Sequence, residues 1–292
     1  MSGLLRKWHE PPMTSRYAER MGGTLLLEYP IIWQRPGVGW RRVDAIIIQD
    51  RRPQVPTEDG RISLDGHDVI VVQTKAHRLA MPVLGQALFS RDLVIREFKP
   101  TSVRTVALCT GDDTALNPIA KRYRIDVEFE VDELAKPRTR PMSARTPARR
   151  SAASMTRRYA ERVGGALLSP YAVIDKLPDG ATQQWVEAII LPSLKHPENS
   201  NISLKGHDVI IVHARERRLG MPLMGQALFS RELVKKYCKP SSIRTVALCT
   251  EDDNVLGPIA KRYGIEVAEE DQQAAPAKRT GAGKLARKAR AG

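Results

Sequence analysis

Apolar and polar residues follow two different periods along the first half of the chain, and these periods predict its helices and strands. Side chains alternate between the two faces of a strand, whereas a helix repeats about every 3.6 residues. Leu84, Leu88 and Ile95 recur at helical spacing, and Pro100 lies just beyond them, where a helix ends. The pattern predicts helices at 14–21, 82–98 and 115–123, with strands at 24–32, 40–48, 67–75, 102–110 and 126–131. The predicted order is therefore α-β-β-β-α-β-α-β.

The second half of the chain repeats the first. MPVLGQALFSRDLV at 81–94 returns as MPLMGQALFSRELV at 221–234, and SVRTVALCTGDD at 102–113 returns as SIRTVALCTEDD at 242–253. Solenoid units are much shorter than this period, so the repeat indicates a duplicated domain. We predict copy one at 1–135, a basic flexible linker at 136–157, copy two at 158–271 and a basic disordered tail at 272–292, with a separate core in each copy.

Positive charge is concentrated outside the two copies. The 292-residue chain carries a net charge of +14, and the linker has no acidic residue. Dense Lys and Arg favour a polyanionic partner because each neutralised phosphate releases bound counterions. We therefore predict a nucleic-acid partner, DNA rather than RNA, over a merely solubilising linker and tail, and over a membrane surface. The candidate contacts in these segments are Arg149, Arg150, Lys284, Arg287 and Lys288.

The cysteines and the absence of long apolar runs predict the compartment. Cys109 and Cys249 occupy equivalent places in apolar strands, so we interpret them as buried free thiols. The chain shows neither a secretion signal nor a membrane span in its sequence. These features predict a cytoplasmic protein associated with nucleic acid.

Two adjacent carboxylates follow the fourth strand of each copy. They are Asp112 and Asp113 in copy one, and Asp252 and Asp253 in copy two. Paired acids can bind a metal, but a carboxylate before a helix also accepts the unpaired N–H groups of the first turn. We favour helix capping.

Polar residues that carry chemistry lie at the ends of neighbouring apolar strands. Gln73 and Lys75 are two residues apart, so they should share one face of the third strand, and Asp44 lies on the strand beside it. An acid, a polar-x-Lys pair and the α-β-β-β-α-β order together resemble the PD-(D/E)XK, or restriction-endonuclease-like, nuclease superfamily. The resemblance covers the core of each copy. It implies an α/β fold with two tandem restriction-endonuclease-like cores, each containing a mixed sheet.

The resemblance also assigns roles in copy one. Asp44 is the second-strand acid, Gln73 and Lys75 are the third-strand pair, Glu19 is the first-helix acid, and Gln86 is the glutamine of the later helix. It implies that Asp44, Gln73 and Glu19 hold Mg²⁺ or Mn²⁺, while Lys75 serves the attacking water. Gln73 departs from the motif, which has Glu or Asp there. The alternative is an ordinary Asp44–Lys75 ion pair with Gln73 as a satisfied polar group.

Copy two departs further from the motif. Glu187, His213 and Arg215 replace Asp44, Gln73 and Lys75, while Glu161 and Gln226 match Glu19 and Gln86. Arginine stays protonated but clamps phosphate, so Arg215 is a candidate nucleic-acid contact. The sequence thus predicts a metal-dependent DNA endonuclease or nickase at copy one, with a non-cutting copy two and a homodimer for double-strand breaks. The alternative is an inactive duplicated fold that binds or packages DNA or RNA.

Overall fold

The computed structural model describes residues 10–57, 60–130, 147–174, 183–194 and 202–270. It is an α/β protein with two five-stranded mixed sheets, one in each copy. The helices are α1 (Glu10–Met21), α2 (Met81–Phe98), α3 (Asn117–Arg122), α4 (Pro147–Val163), α5 (Met221–Cys238) and α6 (Leu256–Arg262). The strands of copy one are β1 (Thr24–Ile32), β2 (Arg41–Ile48), β3 (Asp68–Arg78), β4 (Ser102–Gly111) and β5 (Asp126–Phe129). Those of copy two are β6 (Ala166–Leu168), β7 (Tyr171–Ile174), β8 (Gln184–Val186), β9 (Ala188–Leu191), β10 (Asp208–Ala214), β11 (Ser242–Cys249) and β12 (Glu266–Glu269).

The sheet of copy one has its strands in sequence order. β1, β2 and β3 pair antiparallel, whereas β3, β4 and β5 pair parallel. The central strands are buried on both faces because α1 covers one face through Met13 and Tyr17, and α2 covers the other through Leu84 and Leu88. The observed element order of copy one is the predicted α-β-β-β-α-β-α-β.

The sheet of copy two repeats this plan with a divided first hairpin. Its order is β12-β11-β10-β9-β6, and β7 and β8 form a separate two-stranded ribbon. Pro170 lies where β6 ends, and proline cannot donate a ladder hydrogen bond. Tyr171 still matches Tyr29 of β1, since their hydroxyls donate to the carbonyls of Ile202 and Ile62 respectively. The two first hairpins therefore correspond although one is interrupted.

The predicted flexible linker is wrong over residues 147–157. These residues form the first part of α4, which runs to Val163 and packs against β10. Ala152, Met155 and Tyr159 are buried and recur at helical spacing, so they form an apolar stripe within an arginine-rich segment. Residues 131–146 and the predicted tail, from 271 onwards, lie outside the described residues.

The two copies pack through α2 and α5, which cross at Gly85 and Gly225. A Cβ atom on either glycine would overlap the backbone of the other, so only glycine permits this approach. The contacts repeat about an approximate twofold axis. Ser90 donates to Met221 Sδ, and Ser230 donates to Met81 Sδ.

Rings and ion pairs surround this crossing in matching sets. The rings of Phe89 and Tyr263 meet edge to face at 5.4 Å, as do those of Phe229 and Tyr123. Asp92 accepts a hydrogen bond from the Tyr263 hydroxyl, and the equivalent carboxylate in copy two, Glu232, accepts one from the Tyr123 hydroxyl. The largest hydrophobic cluster contains residues of both copies. Each copy also has clusters of its own, so the predicted separate cores exist, but the largest cluster is shared between the copies.

Candidate functional site

The candidate site forms where β2 and β3 separate. Their ladder ends at the pair Ala45 and Val72, and the same register would place Asp44 opposite Gln73. Beyond that point the Thr74 N–H donates to Asp44 Oδ2 at 2.8 Å instead of to a strand carbonyl. The carboxylate thus replaces a ladder acceptor, which fixes its position at the end of the two strands.

Asp44 faces a cavity of about 250 Å³. The pKa of Asp44 is raised to about 6, mainly by burial; the Lys75 charge and the Thr74 N–H oppose this rise, and Glu10 and Glu28 contribute to it. A carboxyl group with this pKa exchanges its proton close to neutrality. The residues lining the cavity with Asp44 are Glu10, Pro11, Thr14, Leu27, Glu28 and Arg42.

The acid that α1 contributes to the site is Glu10. Lys75 Nζ lies 3.0 Å and 3.2 Å from its two carboxylate oxygens. Glu19 is exposed, and nine residues of helix turn it roughly 180° away from Glu10 and move it about 14 Å along the axis. The structure therefore does not bring Glu19 to Asp44. The signal for Glu10 was the Pro11-Pro12 pair, since proline is favoured in a first helical turn.

Gln73 and Lys75 reach opposite helices. Gln73 is fully buried, and its Nε2 donates to Ser90 Oγ of α2 at 3.2 Å. Its Oε1 is buried without a hydrogen-bond partner among the described residues. The alternative of an ordinary Asp44–Lys75 ion pair with a satisfied Gln73 is not what the structure has, because Lys75 pairs with Glu10 and Gln73 Oε1 has no partner among the described residues. Gln86 is partly buried on the same helix as Ser90.

Copy two contains the same strand separation with different chemistry. Its ladder ends at Ala188 and Val212, and the Ala214 N–H donates to Glu187 Oε2 at 3.4 Å. Arg215 links two polar residues of this site, because it donates to Glu187 Oε2 at 3.1 Å and to Gln226 Oε1 at 2.6 Å. The Arg215 side chain is therefore already paired with protein groups.

His213 occupies the place of Gln73. Its Nε2 lies 2.8 Å from Ser230 Oγ, and its Nδ1 lies 3.5 Å from Glu187 Oε2. Burial alone would raise the pKa of Glu187, but the combined effects of His213, Arg215 and the Ala214 N–H outweigh it, so this pKa lies below its usual range. Ala152 stands in copy two where Glu10 stands in copy one, and Glu161 is exposed like Glu19.

The second aspartate of each pair caps the turn that leads into a helix, as predicted, whereas the first does not. Asp113 Oδ1 accepts the backbone N–H groups of Ala115 and Leu116, and Asp253 Oδ1 does the same in copy two. The second carboxylate oxygen, Oδ2, of each of these aspartates accepts a hydrogen bond from a residue of the other copy. Gln184 donates to Asp113 Oδ2 at 2.7 Å, and Arg41 donates to Asp253 Oδ2 at 2.7 Å. The sequence analysis found the caps but not these contacts between the copies.

The remaining predictions concern thiols and basic residues. The free thiols of Cys109 and Cys249 are buried as predicted, and burial raises the pKa of Cys109 to about 12 and that of Cys249 to about 11. Arg149 and Arg150 lie in α4, and their side chains lie outside the described part. The tail candidates Lys284, Arg287 and Lys288 also lie outside it.

Across the described residues, no three His, Cys, Asp or Glu side chains form a group that could hold a metal ion. Within the same residues, no helix is long and apolar enough to cross a membrane. Comparison with protein-family models, curated proteins and solved structures gives no match to this chain.

Proposed function

We propose that copy one hydrolyses phosphodiester bonds in nucleic acid with the help of a divalent metal ion, and that copy two does not cut. The observation that carries this proposal is the contrast at one position of the fold. Asp44 faces a cavity with Lys75 near it, whereas Arg215 donates a hydrogen bond to the corresponding carboxylate, Glu187, in copy two. A strained or costly arrangement of charges is typical of a functional site.

The fold supports the proposal. In copy one, a helix, three antiparallel strands, a helix and a parallel strand follow each other, with the acid and the lysine where β2 and β3 separate. This order resembles the restriction-endonuclease-like core. One reactive site in each chain makes the protein a nickase, so a double-strand break requires two chains.

Two protein oxygens fit a hard metal ion in copy one. Gln73 Oε1 is buried without a hydrogen-bond partner among the described residues, and Gln73 follows the last β2–β3 ladder pair on β3 as Asp44 does on β2. In copy two the atom in its place, His213 Nδ1, is likewise without a hydrogen-bond partner and lies 3.5 Å from Glu187. Mg²⁺ commonly takes only one or two protein carboxylates and completes its shell with water and phosphate. Asp44 and Gln73 would hold such an ion, which would lower the pKa of a bound water and polarise the phosphate.

The other residues act through charge and position. Above a pH of about 6 the Asp44 carboxylate is ionised and can bind a cation. Glu10 holds the Lys75 ammonium at the cavity, where a substrate phosphate can compete for it. Lys75 then orients the attacking water and balances the charge that develops on the phosphoryl oxygens. Arg42 lines the same cavity and offers a further phosphate contact.

Hydrolysis of labelled DNA with Mg²⁺, with Mn²⁺ and with a chelator tests the proposal. We expect cleavage only with metal, and Lys75→Met should reduce its rate at least about a hundredfold, as expected for loss of a charge that stabilises the transition state. The matched control is Arg215→Met in copy two, which should cleave at the wild-type rate. Cleavage by Lys75→Met at the wild-type rate would exclude the proposed role of copy one.

A second candidate function is nucleic-acid binding without chemistry. It is favoured by the absence, among the described residues, of a group of three potential metal-binding side chains. It predicts that no metal supports cleavage while DNA still binds. The hydrolysis experiment therefore separates the two candidates.

A further inference from the structure

Two tryptophans form an exposed stack beside the cavity of copy one. The rings of Trp33 and Trp40 lie 6.2 Å apart between centroids and within 10° of parallel. Their exposed fractions are 51% and 47%. Exposed pairs of large aromatic rings are costly in water, so they mark an interaction site. We refer to Trp33 and Trp40, together with Arg35, Arg42 and Arg61 around them, as the indole platform.

Arginines give the indole platform a positive charge. The guanidinium of Arg42 lies over Trp40 at 4.3 Å from the ring centroid, and that of Arg61 lies over Trp33 at 5.7 Å. Arg35 is exposed in the turn between the two tryptophans. The neighbouring acid is Glu28, which pairs with Arg42 at 2.9 Å. Aromatic faces interleaved with arginines complement a chain of bases and phosphates.

The platform is continuous with the cavity of Asp44. Arg42 stacks on Trp40 and also lines that cavity, and Leu27, which is 47% exposed, lines it as well. A nucleotide stacked on the indoles would therefore carry its neighbouring phosphates toward Asp44. In the described part of copy two the equivalent stack does not form, because Gln183 and Trp185 occupy the places of Trp40 and Arg42.

Copy two holds the platform in place. The hairpin between the tryptophans is anchored where the Asn254 N–H donates to the Gly37 carbonyl at 3.0 Å and the Gly39 N–H donates to Asp253 at 2.9 Å. Gly37 adopts φ +73°, which the turn requires and which side chains disfavour. Because the backbone is fixed before a ligand arrives, little ordering cost is left for binding.

We propose that the indole platform binds an unpaired nucleotide, so that the protein takes its nucleic acid as a single strand or at an unpaired segment. Bases in a duplex are stacked on each other and cannot reach an exposed indole face, whereas an unpaired base can extend the stack. This inference rests on the proposed function, because it names the form of nucleic acid that copy one would cleave. The contacts themselves do not depend on cleavage.

Fluorescence anisotropy in the presence of a chelator tests binding separately from cleavage. The probes are a labelled single-stranded oligonucleotide of mixed sequence and the duplex made from it. Trp33→Ala and Trp40→Ala should each weaken single-strand binding roughly tenfold while leaving duplex binding within about twofold, because stacking requires an accessible base face. Trp40→Phe should restore most of the affinity, and the salt dependence should stay unchanged because stacking releases no counterions.

The matched control is Trp185→Ala, which removes a tryptophan of copy two that is 43% exposed and lies outside the platform. It should change neither affinity. Equal losses for both probes, or no loss for either, would overturn the platform, and the second result would assign the indoles to a protein partner. Selective loss of single-strand binding by a protein that cleaves nothing would retain the platform and reject the nuclease. Metal-dependent cleavage combined with unchanged single-strand binding in both alanine variants would do the reverse.

Discussion

Copy one and copy two use the same separation of two strands to hold a carboxylate, and they differ in what surrounds it. In copy one, Asp44 faces a cavity and its pKa is raised to about 6. In copy two, Arg215 and His213 surround Glu187, and its pKa lies below the usual range. The same fold position therefore holds a carboxylate whose pKa is raised in one copy and one whose pKa is lowered by its basic neighbours in the other.

The interface between the copies, unlike the site, is built from matching residues in the two copies. Gly85 and Gly225, Ser90 and Ser230, and the edge-to-face ring pairs are alike on both sides of the approximate twofold axis. Self-complementary packing requires both surfaces to match, because each contact is made twice. The site carries no such requirement, so one copy can lose its chemistry while the other keeps it.

The largest effect should come from breaking the shared interface. Gly85→Val places a branched side chain against the Gly225 backbone, so we expect a loss of more than about 4 kcal/mol in the free energy of unfolding. Urea or thermal unfolding followed by circular dichroism measures this loss. Gly220→Ala is the control, since its nearest non-neighbouring atom lies at an ordinary 3.6 Å. Equal stability of the two variants would show that the glycine crossing does not hold the copies together.

The two helix caps sharpen the comparison because their cross-copy partners differ in charge. Asp253→Ala removes a cap and also leaves the largely buried Arg41 without its carboxylate partner, so it should cost about 4 kcal/mol. Asp113→Ala removes a cap and the neutral Gln184 contact, so it should cost about 2 kcal/mol. Chemical unfolding of both variants measures the difference. A larger loss for Asp113→Ala would contradict this account of the interface.

A smaller effect concerns the charge of Asp44. Its pKa is higher in the folded protein than the usual value of 3.8, so the folded state holds the proton more tightly and stability falls as pH rises between about 4 and 6. Asp44→Asn removes this cost and should gain about 1–2 kcal/mol at pH 8, with little gain at pH 4. Glu187→Gln should lose stability at pH 8 instead, because the Glu187 pKa is depressed. Thermal unfolding at pH 4 and at pH 8 measures the stability change of each variant. An effect of Asp44→Asn that does not depend on pH would count against the raised pKa.

The sequence predicted most of the fold because the strands and long helices follow their periods closely. Asp113 and Asp253 were identified as caps from their place before a helix, and Asp44 and Lys75 were brought together because they end neighbouring strands. Glu10 was missed because the predicted helix began at Thr14, four residues too late. The first helix of copy two was missed in part, since the stripe of Ala152 and Met155 lies within a strongly basic composition.

Contacts between the copies could not be predicted from either copy alone. Gly85 and Gly225 in the middle of helices were the available signal, since glycine costs about 1 kcal/mol there and needs a reason such as a close approach. Strand alternation placed Gln73 and Lys75 on one face, but the strands separate at this point, so Lys75 reaches α1 while Gln73 turns to α2. Local periodicity cannot show where a ladder ends.

Calorimetric titration with Mn²⁺ tests the central claim that only copy one has a reactive metal site. The wild-type chain should bind one Mn²⁺ ion, and Asp44→Asn should abolish this binding at pH 8. Glu187→Gln should leave both the affinity and the single site unchanged, because Arg215 and His213 exclude a cation from copy two. Retention of Mn²⁺ binding by Asp44→Asn, or its loss in Glu187→Gln, would contradict the assignment of the site to copy one.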